Sequence, residues 1–206
     1  MRLHKVSDKV YANWDGETDV DSTGAALCIH WYEELHGTGQ AERLKDEYKD
    51  DSAARLMALV KAGKSLKGFH GDWKVPWGKA HRLVRVGYAA DTIAAAMTML
   101  PSQESVPVPG APGPLGVVFT IYSSPSMPLF RPNRFALVGC SYMSAVEFGP
   151  KVRAGSLVPY GTSGDPGSPF FENQRQLVSE RRYKNAYYYP EEVLAAAQRS
   201  YHPGEE

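Results

Sequence analysis

The chain has 206 residues, 43% of them hydrophobic and 22% charged, proportions of an ordinary folded protein that set aside a disordered tail or a fibrous repeat as a description of the whole. Its 23 basic and 23 acidic residues cancel. Residues 1–63 carry 8 basic and 12 acidic side chains, 64–150 carry 8 and 4, and 151–206 carry 7 and 7, imbalances too small for the basic footprint of a nucleic-acid-binding protein.

The first predicted element follows Asp21-Ser22, whose side-chain oxygens can cap the free N–H groups of a helix start. Leu27, Cys28, Trp31, Tyr32 and Leu35 then recur at three- and four-residue spacing up to Gly37, the pattern of an amphipathic helix. A second helix is expected from Asp51-Ser52, with Leu56, Leu59 and Val60 as its face and Gly63 as its stop. Residues 64–90 read as a packed loop or short-strand region, punctuated by glycines and holding Trp73 and Trp77. Asp91–Leu100 is a weaker helical segment, and Pro101–Pro114, with five prolines and two glycines, is an irregular loop or linker. Strand-like segments follow at Leu115–Tyr122, Phe135–Phe148 and Ala154–Tyr160, the last two forming a hairpin across Gly149-Pro150. A helix is expected to open at Ser168-Pro169, with Phe171, Leu177 and Val178 inward, and a last one at Pro190-Glu191-Glu192, running through Val193, Leu194 and Ala197. The fold class is α+β, helices leading and strands later. Three stretches divide the chain: 1–100, helical with a Trp-Gly-rich loop; 101–114, the Pro/Gly loop; and 115–206, strand-rich with two closing helices.

Cys28 and Cys140 stand far apart with no Cys or His cluster around them, which suits two buried thiols better than a zinc site or a disulfide framework. No 18-residue apolar run occurs, and the first thirty residues lack the apolar centre of a signal peptide. The default compartment on these grounds is the cytoplasm.

Candidate chemistry is sparse. His30 and His36 are six apart, not the i,i+4 pair that a helical zinc site needs, and His30 with Glu34 supplies only two ligands. Gly139-Cys140-Ser141 and Gly161-Thr162-Ser163 both miss the small flanks of a G-x-S-x-G nucleophile elbow, and His70 or His81 can be placed in a Ser/His/Asp triad only on paper. Tyr160–Pro169 lies between a strand and a helix, where a phosphate loop would sit; without a lysine after its glycines it reads as a structural turn rather than an anion cradle. Tyr183 and Tyr187-Tyr188-Tyr189, beside Pro190, read as aromatics packing a terminal helix rather than as a stacking platform.

Taken together, four collinear stretches resemble the C-terminal part of the β subunit in the penicillin acylase (penicillin amidase) family of N-terminal-nucleophile amidohydrolases. Tyr160-Gly-Thr-Ser-Gly-Asp-Pro-Gly-Ser-Pro169 with Asn173-Gln174 resembles the family's Y-G-x-S-x-x-P-x-S-P-H-x-x-D-Q segment. Trp14-Asp15-Gly16, Asp19, Ser22-Thr-Gly24-Ala25 and Trp31 resemble its W-D-G-x-x-D-x-x-S-x-G-A helix start. Pro76-Trp77-Gly78 with His81-Arg82-Leu83 resembles W-G-D-V-H-R-L, and Gly139-Cys-Ser141-Tyr142 with Val146-Glu147-Phe148 resembles the G-x-S-Y strand. Three positions depart from the pattern: Phe170 stands in place of His, Asn173 of Asp and Lys79 of Asp.

The resemblance implies part of an αββα sandwich and a parent activity that hydrolyses linear amide C–N bonds, in substrates of β-lactam or acyl-homoserine-lactone type. It also implies a Ser nucleophile exposed by self-cleavage, whose own α-amine is the base. The chain begins Met1-Arg2-Leu3 and holds no Gly-Ser-Asn site. No catalytic, cofactor-binding or metal-binding residue is therefore assigned within it, and no cofactor is expected. Loss of one oxyanion donor alone costs about 10²–10³ in rate, so the chain is expected to be inactive by itself and to need the remaining acylase segments or subunit as its partner. Periplasmic or secreted placement would follow from a full-length family precursor.

Overall fold

Ser22 starts the first helix as expected: its Oγ accepts from the Ala25 N–H at 3.2 Å, and α1 runs Thr23–His36. The computed structural model describes residues 14–36, 45–85, 104–111, 133–136, 140–202 and 204–205. Gly24, Ala25, Ala26, Leu27, Ile29 and Leu35 are the buried residues of α1, whereas Cys28, Trp31 and Tyr32 are half-buried. The buried face is thus wider than the expected stripe, because α1 is covered both by the segment bearing Trp14 and by the second helix.

That second helix, α2, runs Ser52–His70. The Asp51 carboxylate accepts from the Ala54 N–H at 2.9 Å, and Gly71, at φ +86°, ends the helix in the left-handed conformation that favours glycine. The expected stop at Gly63 is wrong. Ala58, Leu59, Ala62 and Leu66 continue one buried stripe through it, and that packing outweighs the roughly 1 kcal/mol that glycine costs within a helix. Leu56, placed on the face by sequence, is exposed. Trp31 joins the two helices through its indole N–H, which donates to the Arg55 carbonyl at 2.9 Å.

Residues 64–70 are therefore helix rather than loop, and the loop-like region resolves into the short helix α3, Trp77–Ala80, leading directly into strand β1, His81–Leu83. β1 is the centre of a three-stranded sheet. It pairs antiparallel with β2, Val106–Pro107, a strand inside the proline-rich stretch expected to be irregular, and parallel with β3, Arg134–Ala136, with His81 opposite Arg134. The expected strand Phe135–Phe148 is divided: β3 belongs to this first sheet and β4, Met143–Glu147, to a second. The division follows burial, since all three β3 residues are buried while four of the five in β4 are exposed. β4 pairs antiparallel with β5, Arg153–Leu157, in the expected hairpin, and β5 with β6, Lys184–Asn185.

The helix expected at Ser168-Pro169 begins only at Arg175, as α4, Arg175–Ser179. The Phe170 carbonyl is occupied by the Thr162 and Ser163 N–H groups at 2.9 and 3.1 Å, and the Phe171 carbonyl accepts from Arg85, so neither is free to build a helical turn. The last helix, α5, runs Pro190–Ala196, one residue short of the expected Ala197 and with no buried residue; Val193 and Leu194 are exposed. It is held by its N-terminal end, through a Lys151–Glu192 ion pair at 2.5 Å and through Tyr189, whose Oη accepts from the Val152 N–H at 3.0 Å. Expected elements at 91–100 and 115–122 lie outside the described residues.

Helices with one mixed and one antiparallel sheet give the α+β class. Among the described residues two hydrophobic clusters make up the core, one around Leu27, Ile29, Leu66 and Trp77, the other around Leu83, Val108, Ala136, Leu157 and Val178. No helix among the described residues is long and apolar enough to cross a membrane.

Candidate functional site

Two of the four motif stretches, those of Trp14–Trp31 and Pro76–Leu83, meet in space, and glycines let them do so. Gly16 turns the chain at φ +84° while the Trp14 indole N–H donates to the Glu17 carbonyl at 2.8 Å. Trp14 then lies against α1 where a Cβ on Gly24 would meet its side chain at 2.5 to 2.9 Å. The Trp77 N–H donates to the Ser22 carbonyl at 3.0 Å and the Gly78 N–H to that of Val20 at 2.7 Å. A Cβ on Gly78 would stand 2.8 Å from the Val20 Cβ and 2.7 Å from that of Pro107. The Trp77 indole closes the cluster by donating to the Gly110 carbonyl at 2.7 Å.

Beneath this lies His81, fully buried, its ring stacked on Trp77 at 4.6 Å between centroids. Nδ1 lies 3.0 Å from the Val108 carbonyl, which can only accept, so Nδ1 carries the proton. Nε2 is left without a hydrogen-bond partner among the described residues. Burial, helped by the charge of Arg134 and opposed by the Val108 bond, pushes the imidazole down to about 3, so it is neutral at ordinary pH. Across the same register Arg134 forms a two-pronged ion pair with Glu33 of α1, with the two side chains 5% and 10% exposed.

The Tyr160–Pro169 segment makes a second cluster. Tyr160, at φ +84°, donates its Oη proton to the Ala136 carbonyl at 3.2 Å; burial pushes its phenol up to about 12 against the lowering pull of Arg85. The Arg85 guanidinium lies over the Phe171 ring at 3.9 Å and the Tyr160 ring at 5.6 Å. A Cβ on Gly161 would lie 2.2 Å from the Phe170 carbonyl oxygen, so only glycine fits this approach. Gln174 sends its N–H to the Tyr160 carbonyl and accepts the Val158 N–H on Oε1 at 3.0 Å. The Thr162 and Ser163 N–H groups are spent on Phe170, and that of Gly167 on Asp165. Donors that an anion cradle would need are thus engaged within the chain, as a structural turn requires.

Residues weighed for catalysis or metal binding are distributed elsewhere. His30 Nδ1 lies 2.8 Å from the Ala26 carbonyl, Glu34 pairs with Lys61 at 2.7 Å and raises its pKa, and His36 stacks on Tyr32. Ser163 Oγ accepts from the Asp165 N–H at 3.1 Å, and Ser141 is exposed beside Tyr142. Tyr183, Tyr187 and Tyr188 are exposed, and of the four tyrosines it is Tyr189, half-buried and bonded to the Val152 N–H, that ties the start of α5 to the domain. Cys28 and Cys140 form no disulfide with each other, and both are half-buried rather than fully buried.

Sequence reasoning missed the charged residues that join the clusters. Arg134 and Glu33 are 101 residues apart; Arg175 reaches from α4 to the Glu104 carbonyl at 2.9 Å and to Glu172 at 3.0 Å. One signal was available, an arginine beside Phe135-Ala136 in a strand that reads as apolar. The three departures, Lys79, Phe170 and Asn173, all fall on exposed positions, whereas matched residues such as Gly24, Trp77 and Gly78 are buried. In a comparison with known families, the model described as Penicillin amidase matches residues 5–195.

Proposed function

The chain belongs to the penicillin amidase family, and from that premise we propose that it forms the C-terminal part of an amidohydrolase acting on linear amide C–N bonds. The substrates in this reading join an acyl side chain to an amine-bearing core, of β-lactam or acyl-homoserine-lactone type, and the chain belongs to the αββα sandwich of such enzymes. One observation carries the division of labour: the motif residues of both clusters are engaged in packing and internal hydrogen bonds, as befits a part that supports a catalytic Ser rather than supplies it. In the complete enzyme the Ser hydroxyl attacks the amide carbonyl while its own α-amine takes the proton, the α-amine returns that proton to the amine that departs as the C–N bond breaks, and water then hydrolyses the acyl ester to release the acid and restore the Ser. The parent compartment in this reading is the periplasm or the exterior.

The test is incubation of the purified chain with a phenylacetyl- or fatty-acyl-amide chromogen, alone and after mixing with the family segments that carry the Ser. Turnover is expected only in the mixture; turnover by the chain alone, abolished by Ser141→Ala or Ser163→Ala, would overturn the proposal. A second reading, a non-catalytic subunit completing a separately encoded acylase chain, is favoured by the exposed Phe148, Tyr188 and Leu194. It predicts stable co-purification with that chain.

A further inference from the structure

His81 occupies the seam between the two hydrophobic clusters. Trp77 and Ala80 on one side of it belong to the first, Leu83 and Val108 on the other side to the second. Its strand is the middle one of the first sheet. We propose that His81 is an acid-sensitive latch: proton uptake on Nε2 opens the seam between α3–β1 and the β2 and β3 segments packed on it.

Burial and the charge of Arg134 oppose the added charge, and they outweigh the Val108 bond that favours it. From α3 the Trp77 ring stacks on its face, and from the chain after β2 the Val108 carbonyl already holds the Nδ1 proton. From β3 comes Arg134, a cation opposite it in register. Glu33 of α1 is the anion of this cluster, and both its oxygens are taken by Arg134. On β1 itself, the Arg82 guanidinium turns away to Ser105 and the Gly78 carbonyl. A proton on Nε2 thus creates a buried donor with no acceptor among the described residues and a second positive charge beside Arg134. Water, reached by opening, relieves both.

The sign is the reverse of a histidine that gains a partner on folding. With the folded value near 3 and the unfolded one near 6.5, the open chain binds the extra proton. Closure is fully favoured above pH 6.5 and is lost as pH falls toward 3. The opening constant rises about tenfold for each pH unit in that window.

The experiment follows the full chain from pH 8 to pH 3 by the NMR shift of the His81 Cε1 proton and by near-ultraviolet circular dichroism. While the seam is closed the His81 resonance should stay at its neutral position, and tertiary signal should be lost along with its titration. His81→Gln keeps a donor for Val108 without a basic nitrogen, and should shift the acid transition by a pH unit or more toward lower pH. Two results would overturn the latch: a His81 resonance titrating near pH 6.5 with the dichroism unchanged, or a folded His81→Gln protein with the wild-type acid transition. Should His81→Gln fail to fold, the wild-type titration decides alone.

Discussion

At Gly24 and Gly161 the chain has no room for a methyl group, but for different reasons. Gly24 faces the Trp14 side chain, whereas Gly161 faces the Phe170 and Phe171 backbone at 2.2 and 2.5 Å. A side chain can yield and a backbone fixed by the Thr162, Ser163 and Arg85 bonds yields less. Gly24→Ala is therefore expected to cost about 1–3 kcal/mol, the range for overpacking, and Gly161→Ala more, as chemical denaturation would show. Glu33 and Arg134 give a second expectation. Removing one partner of a buried pair typically costs about 3–5 kcal/mol because it strands the other charge, while replacing both with apolar residues of similar volume is often neutral. Glu33→Leu alone should thus destabilise strongly, and Glu33→Leu with Arg134→Met should recover most of the loss in the same measurement. Neither the pair nor its cost was legible from the sequence, since nothing local to Glu33 points to a residue 101 positions away.

Elements were legible where their signals are local. Ser22 and Asp51 cap their helices through side chains within three residues, and the β4–β5 hairpin needs only its turn and flanks. Asp51→Ala should lower stability by about 1 kcal/mol, the usual value of such a cap, read as a fall in the thermal midpoint with Asp51→Asn retaining most of it. Where a local signal competed with tertiary contact, contact prevailed. Gly63 reads as a stop, yet α2 runs through it on the packing of Ala62 and Leu66. Pro169 reads as a helix start, yet the carbonyls after it are claimed by the Gly161 loop and by Arg85. The motif stretches around Trp14, Trp77 and Tyr160 mark where the chain packs on itself, though which parts they meet was not legible from their residues.

For the whole molecule the main asymmetry is in what remains uncovered. Among the described residues the helical part buries most of its apolar side chains around Leu27, Leu66 and Trp77 and exposes Leu56 and Met57, while the second sheet, α5 and the chain around them leave Val146, Phe148, Tyr183, Tyr188, Val193 and Leu194 exposed. Surfaces of that kind mark association sites or aggregation liabilities. Tyr188→Ser with Leu194→Lys should reduce concentration-dependent self-association in sedimentation, while shifting stability by no more than about 0.5 kcal/mol, as for surface substitutions generally.

The parallel pairing of β1 with β3 also bears on when the protein can form. His81 must wait for Arg134, and Arg134 must find Glu33 across 101 residues, so the first sheet depends on closing long loops. Contacts of that separation slow folding, while a hairpin closes in about 1–10 μs. During synthesis α1 and α2 can pair while the ribosome still holds the strand that carries Arg134. Until that strand emerges Glu33 has no cation to meet, and the seam at His81 stays open to water.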